Sequence, residues 1–239
     1  MANQWFKFKK FEIQQQNSAM KVGTDGVLLG AWAGEGSPEC ALDIGAGTGL
    51  ISLMLAQRFP DLSVDAVEIN PYACLDAEMN FHNAPWKERL SLFKMSFQEF
   101  VTENPHREYD LIVSNPPYFS QALNSANSSR SLARHDHWLS LGEIISLSAG
   151  LLSEKGYISL IIPYERYNEV LEYASMENLF PCRILLIRPV PGKKPHRFTI
   201  ELSRKKTQIY ECEMVIENSG RHQYSQEYIQ LTRDFYLNM

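Results

Sequence analysis

The chain has 239 residues and a formal net charge of −5. That length suffices for one large α/β domain with its own core, and the mild acidity argues against a protein that coats nucleic acid without selectivity. No apolar run reaches the length of a membrane span, and Met1–Lys7 lacks the charged-then-apolar order of a secretory signal. The cysteines Cys40, Cys74, Cys182 and Cys212 are scattered with no CxxC pair, as expected of free thiols in a reducing cytoplasm.

Along the chain, residues 1–38 differ in character from the rest. Lys7, Lys9 and Lys10 alternate with Trp5, Phe6, Phe8 and Phe11 in a hairpin-like start, followed by Met20–Gly26. They read as an N-terminal extension folded onto one domain that spans 1–239. From residue 40, strand-like and helix-like segments alternate. Cys40–Ile44 reads as a strand, and Leu50–Phe59 as a helix that stops before Pro60. Val64–Glu68 is the next strand, and Pro71 opens a helix where a missing N–H is harmless. Leu90–Phe93 and Leu111–Ser114 are strands. Leu141–Leu152 is an amphipathic helix with Gly156 as its stop signal. Tyr157–Ile162 is a strand, and Tyr164–Leu179 a helix. Arg183–Val190 and Arg197–Leu202 are strands joined by a Pro-Gly-Lys-Lys-Pro turn, hence antiparallel. Such alternation predicts a mostly parallel sheet with an antiparallel edge and helices on both faces.

Asp43-Ile44-Gly45-Ala46-Gly47-Thr48-Gly49 ends the first α/β strand and opens a helix. Glycine lets backbone approach a ligand closely. A dinucleotide fingerprint would want glycine where Leu50 stands, and a pyrophosphate would not welcome Asp43. A ligand with an ammonium group would, and S-adenosylmethionine (SAM) fits. Glu68 closes the second strand about 20 residues on, at the place of an acid that accepts from ribose hydroxyls. Near the end of the third strand, Ser96 and Phe97 are the candidates for the adenine edge and face.

Asn115-Pro116-Pro117-Tyr118 follows an apolar strand. Asn115 offers an amide oxygen, and the two prolines offer carbonyls with little freedom. The Asn115 oxygen and the Pro116 carbonyl can accept both N–H groups of an exocyclic amine. Tyr118 can stack on the planar group that carries it. This arrangement favours methyl transfer to nitrogen, mostly by positioning.

Arg183, Arg188, Lys193, Lys194, Arg197, Arg204, Lys205 and Lys206 fall in one stretch with a single acid, Glu201. The stretch reads either as a solvated face or as a nucleic-acid contact, with Lys193, Lys194 and Arg197 as candidates. Arg130, Arg134 and His135 lie just past the catalytic run, where a loop can reach phosphate or a neighbouring base. His135-Asp136-His137 has no accompanying ligand cluster, so no metal is expected.

The Asp43–Gly49 loop, Glu68 and Asn115–Tyr118 resemble class I SAM-dependent methyltransferases acting on amino groups. That class includes adenine-N6, guanine-N2 and glutamine-N5 enzymes. Phe8–Phe11, Met20–Trp32, Arg130–His135 and Asp234–Leu237 resemble the bacterial tRNA adenine-N6 methyltransferases, nearly end to end. The resemblance implies a Rossmann-like, seven-stranded sheet and SAM as cofactor. It also implies a substrate adenosine 3′ of the anticodon, position 37 of a valine tRNA. A base in an anticodon loop is unpaired and costs less to take out of the stack than one in a duplex. The alternatives are a protein glutamine-N5 methyltransferase and a non-catalytic, SAM-occupied RNA-binding module.

Overall fold

The computed structural model describes residues 3–117, 139–218 and 220–239. The elements in chain order are β1 (Trp5–Lys7), β2 (Glu12–Gln14), α1 (Thr24–Trp32), β3 (Cys40–Ile44), α2 (Leu50–Arg58), β4 (Ser63–Val67), α3 (Pro71–Asn83), β5 (Leu90–Phe93), α4 (Phe97–Glu103) and β6 (Tyr109–Ser114). They continue with α5 (Leu141–Leu151), β7 (Leu152–Pro163), α6 (Tyr167–Met176), β8 (Phe180–Arg188), β9 (Arg197–Ser203), β10 (Tyr210–Val215) and α7 (Gln226–Thr232).

One sheet of eight strands runs β10-β8-β9-β7-β6-β3-β4-β5, beside the small β1–β2 hairpin. All its pairings are parallel except those of β9, which is antiparallel to both β7 and β8. The sheet is therefore the expected one, with two differences. The antiparallel strand is not at the rim: six of the seven residues of β9 are buried, and it inserts between β7 and β8. An eighth strand, β10, lies outside β8 and parallel to it.

Side-chain alternation sorts the strands between two helical layers. Leu42, Ile44, Ile112, Leu160 and Ile184 pack with Phe100 of α4, Ile144 and Ile145 of α5 and Val170 of α6. Ala41, Leu111, Val113, Ile161 and Leu185 pack with Leu28 and Leu29 of α1, Ile51 and Leu55 of α2 and Tyr228 of α7. A sheet covered on both faces needs nearly continuous apolar strands, which is why Leu111-Ile112-Val113 reads as one. Each fully buried Leu or Ile contributes about 1.5–3 kcal/mol relative to exposure.

Gly156 is not a helix stop. α5 ends at Leu151 and the chain passes directly into β7, with Gly156 inside that strand. A Cβ there would lie 2.7 Å from the Tyr109 carbonyl oxygen, at the register shift between β6 and β7. The helix ends are closed by arginines instead. Arg58 donates to Gly30 O (3.0 Å), Ala33 O and Gly34 O around the C-terminal end of α1, and Arg89 donates to Ala56 O (2.8 Å) and Phe59 O (3.0 Å) around that of α2. Arg204 donates to Ala149 O and Leu152 O at the end of α5. Each satisfies carbonyls that the helix leaves unpaired, with charge of the sign the dipole favours.

The two chain ends meet. Phe8 is sandwiched between Phe11 (4.7 Å between ring centres) and Tyr236 (5.7 Å), and Lys9 N donates to Phe235 O at 2.7 Å. Lys9 Nζ donates to Arg233 O and to Met239 O. The interleaved aromatics and lysines of the N-terminus are thus largely a packing device, with Phe8 and Phe11 buried.

Candidate active site

β3, β4 and β6 deliver their carboxyl ends side by side. Ile44 lies opposite Val67 on one side and Ser114 on the other, and Ser114 Oγ donates to Ile44 O at 2.9 Å. The glycine loop, Glu68 and Asn115 therefore leave one sheet edge together, the place where open α/β sheets bind ligands.

The loop glycines divide into two kinds. Gly45 (φ 71°) and Gly47 (φ 58°) have left-handed backbone, and a Cβ on either would meet nothing within 4 Å. They border open space. Gly49 (φ 79°) caps α2, and a Cβ there would run into the Phe81 ring. Its role is close packing of loop on helix.

Asp43 is fully buried. Its Oδ2 accepts from Ser52 N (3.0 Å) and Ser52 Oγ (2.6 Å), while Oδ1 is buried with no partner among the described residues. Burial pushes its carboxyl up to about 6; the Ser52 hydrogen bonds oppose the shift, and Glu68 adds to it. Glu68, also buried, ties the loop to the next strand. Its Oε2 accepts from Gly47 N (2.8 Å) and its Oε1 from Asn70 N (2.7 Å).

Two residues that sequence reasoning passed over brace this arrangement. Asn80 Nδ2 donates to Thr48 O of the loop and to Gln14 O of β2, both at 2.9 Å, and Asn80 Oδ1 accepts from Gln14 N. Asp76, one turn earlier on α3, accepts from Asn17 N, Asn17 Nδ2, Ser18 N and Ser18 Oγ. Together they lace residues 14–18 to α3 and to the glycine loop. The signal was present but ambiguous: polar residues at i and i+4 read as a solvent face, yet both side chains are buried. Ile69, between Glu68 and Asn70, is an exposed apolar side chain at the same edge.

Ser96 and Phe97 stand at the end of β5, but their side chains are engaged elsewhere. Ser96 caps α4: its hydroxyl accepts from Glu99 N (3.1 Å) and donates to Glu99 Oε2 (2.7 Å) in a capping box. Phe97 is buried in the core beneath α4.

On the other side of the edge, Asn115 is half-buried, Pro116 buried and Pro117 exposed. The first turn of α1 lies near Asn115: a Cβ on Gly26 would come 4.0 Å from Asn115 Nδ2. Tyr118, Arg130, Arg134, His135 and the His135–His137 triplet lie outside the described residues. Among the described residues, no group of three His, Cys, Asp or Glu side chains is placed to hold a metal ion.

The basic stretch is not one patch. Arg183 is packed between Glu201 (Nε–Oε2 3.0 Å) and the Trp32 ring (3.9 Å), and also pairs with Glu35. Arg188 forks onto Glu213 with two contacts of 2.9 Å, and Arg204 closes α5. Arg197 donates from Nε to Asp25 Oδ2 at 2.9 Å. Lys193 and Lys194 remain exposed on the β8–β9 turn, which the Arg188 bond to Lys193 O (2.6 Å) shapes. β8 runs parallel to β10 and antiparallel to β9, so this turn sits at the same edge as Asn115.

Residues 27–172 match the family described as Methyltransferase small domain. The tRNA1(Val) (adenine(37)-N6)-methyltransferase of Parabacteroides distasonis is 42% identical over 239 residues, covering 100% of both chains. The protein of that name from Flavobacterium psychrophilum is 44% identical, covering 98% of this chain and 100% of its own. Among solved structures, a predicted O-methyltransferase from Agrobacterium tumefaciens shares the fold with a TM-score of 0.68 at 18% identity, covering 88% of this chain and 96% of its own.

Proposed function

The chain belongs to the family of tRNA1(Val) (adenine(37)-N6)-methyltransferases and is a SAM-dependent methyltransferase, and we propose that it methylates the N6 amine of the adenosine at position 37 in a valine tRNA. The observation that carries this reading is the shared edge: a glycine loop with open space beside it and Asn115 leave adjacent, hydrogen-bonded strands.

SAM, when bound, supplies a methyl group on a positively charged sulfur. The residues present suit it. Gly45 and Gly47 leave room for its backbone-hugging part, and Glu68 suits ribose hydroxyls. The unpartnered Oδ1 of Asp43 favours a cationic group. Ile69 offers an apolar surface for a flat base. Asn115 Oδ1 and the Pro116 carbonyl accept the two N–H groups of the adenine amine and aim its lone pair at the methyl carbon. No strong base is needed at that point, because the amine becomes acidic only as the new bond forms. Tyr118 stacks on the base, and Arg130, Arg134 and His135 contact the RNA beside it. Lys193 and Lys194 contact phosphate from the β8–β9 turn. A reducing cytoplasm suits both tRNA and the four free thiols.

The test is incubation with labelled SAM and bulk tRNA lacking the modification, followed by nucleoside mass analysis. N6-methyladenosine in the anticodon loop of a valine tRNA is the expected product. Cofactor binding without that product, or methylation of a protein glutamine instead, would sink the reading.

A further inference from the structure

Helix α1 is buried from Gly26 to Trp32, yet it begins without a cap. Gly23 at its N-terminus offers no side-chain hydrogen bond, and Thr24 is exposed. An uncapped first turn leaves its N–H groups unpaired and tends to fray. Here that turn matters, because Gly26 neighbours the Asn115 amide: a Cβ added to it would reach van der Waals distance, 4.0 Å, of Asn115 Nδ2. The side chain that ties it down is Asp25, whose Oδ2 accepts from Arg197 Nε at 2.9 Å. Arg197 in turn is fixed by the sheet. It opens β9 opposite Pro163 of β7 and Ile187 of β8, and its Nη1 donates to His196 O at 2.9 Å.

We propose that the Asp25–Arg197 pair is a positioning device for methyl transfer. It holds the first turn of α1 against Asn115 and so fixes the amide that receives the amine. The proposal rests on the reading of Asn115 given above. It assigns Arg197 to the protein's own acceptor wall, where sequence reasoning offered it to RNA. Both side chains are about one-quarter exposed (26% each), so their pair contributes little to global stability. Its loss should appear in the reaction, since small misplacements of a positioned group are costly to rate.

The experiment compares Asp25→Asn, Arg197→Gln and the exchanged double variant Asp25→Arg/Arg197→Asp on modification-free tRNA. Each single variant should lower kcat by roughly 10- to 100-fold. The KM for tRNA, SAM affinity and Tm should stay near those of the parent, and the exchanged pair should recover part of the rate. Parent-like kcat in Asp25→Asn overturns the proposal. A loss confined to Arg197→Gln, expressed in KM, assigns that guanidinium to RNA and also overturns it. Failure of the exchanged pair to recover any rate, or losses that track a falling Tm, would reduce the pair to a structural contact. Asn115→Ala run in parallel tests the underlying reading separately, since intact methyl transfer there would remove Asn115 from the reaction altogether.

Discussion

The two halves of the site are built differently. On the cofactor side, backbone and buried side chains are laced together: Gly47 to Glu68, Thr48 to Asn80, Ser52 to Asp43, and residues 17–18 to Asp76. On the acceptor side, among the described residues, the wall includes a helix turn with no side-chain cap and a quarter-exposed ion pair, and an exposed turn carrying two lysines shares the same edge. In the first half, hydrogen bonds among the protein's own residues set the shape. A small cofactor of fixed shape suits the first construction, and a large polyanion suits the second.

The sharpest way to break this contrast is at Asn115. Asn115→Ala should lower kcat for tRNA methylation by about 100- to 1,000-fold, the usual cost of removing one aligned polar group from a reacting centre. SAM affinity, measured by calorimetry, should be unchanged, because the cofactor half is closed by other residues. A loss of SAM binding in that variant would show that the two halves are not separable. Glu68→Ala should do the opposite. It removes the acceptor of Gly47 N and of Asn70 N, both part-buried, and the loosened loop should lower SAM affinity by roughly 10-fold, the equivalent of about one lost hydrogen bond. The rate at saturating SAM should change less.

The difference between the halves also explains what was readable in advance. The sheet, and the placement of the glycine loop, Glu68 and Asn115 at one of its edges, were legible because each rests on local chemistry: strand periodicity, positive-φ glycine, an acid at a strand end, an amide before two prolines. The basic stretch stayed open between two readings because sequence lists charges without their partners. Arg183, Arg188, Arg197 and Arg204 are each claimed by a residue or carbonyl distant in sequence or on another strand. Asp76 and Asn80 were ambiguous for the converse reason: their partners, residues 14–18, come from an extension whose docking no local pattern announces. Ser96 was read only as a ligand contact, and the structure shows its side chain capping α4. The Ser-x-x-Glu spacing to Glu99 was the local signal for the cap.

Asp43 gives a pH test of the cofactor half. Its carboxyl is raised from the ordinary value to about 6 by burial, so the ligand-free folded state holds its proton more tightly than the unfolded chain does. This group's contribution to stability is therefore largest below the ordinary carboxylate range and is lost as pH rises through about 6. A cationic ligand favours the ionised form. SAM affinity should then rise with pH up to about 6 and level off above it, being about tenfold weaker one unit below the midpoint. Calorimetry in buffers of different ionisation enthalpy should show proton release on binding near that midpoint. Asp43→Asn should bind weakly at every pH with the slope removed. A flat profile in the parent would mean that Oδ1 does not meet the cation.

The smallest expected effect sharpens the acceptor half. Lys193 and Lys194 stand exposed on a turn whose backbone Arg188 holds from below, so changing their side chains leaves the turn itself intact. Lys193→Ala/Lys194→Ala should weaken tRNA binding only a few-fold at physiological salt. The slope of log affinity against log salt should fall in magnitude by about 1.5, since two phosphate contacts in a partly single-stranded loop release slightly fewer than two counterions. SAM affinity and kcat at saturating tRNA should be those of the parent. An unchanged salt slope would free the β8–β9 turn from RNA and leave the acceptor half to Asn115, α1 and the segment that follows Pro117. A change in kcat would instead mean that the turn helps to hold the reacting base.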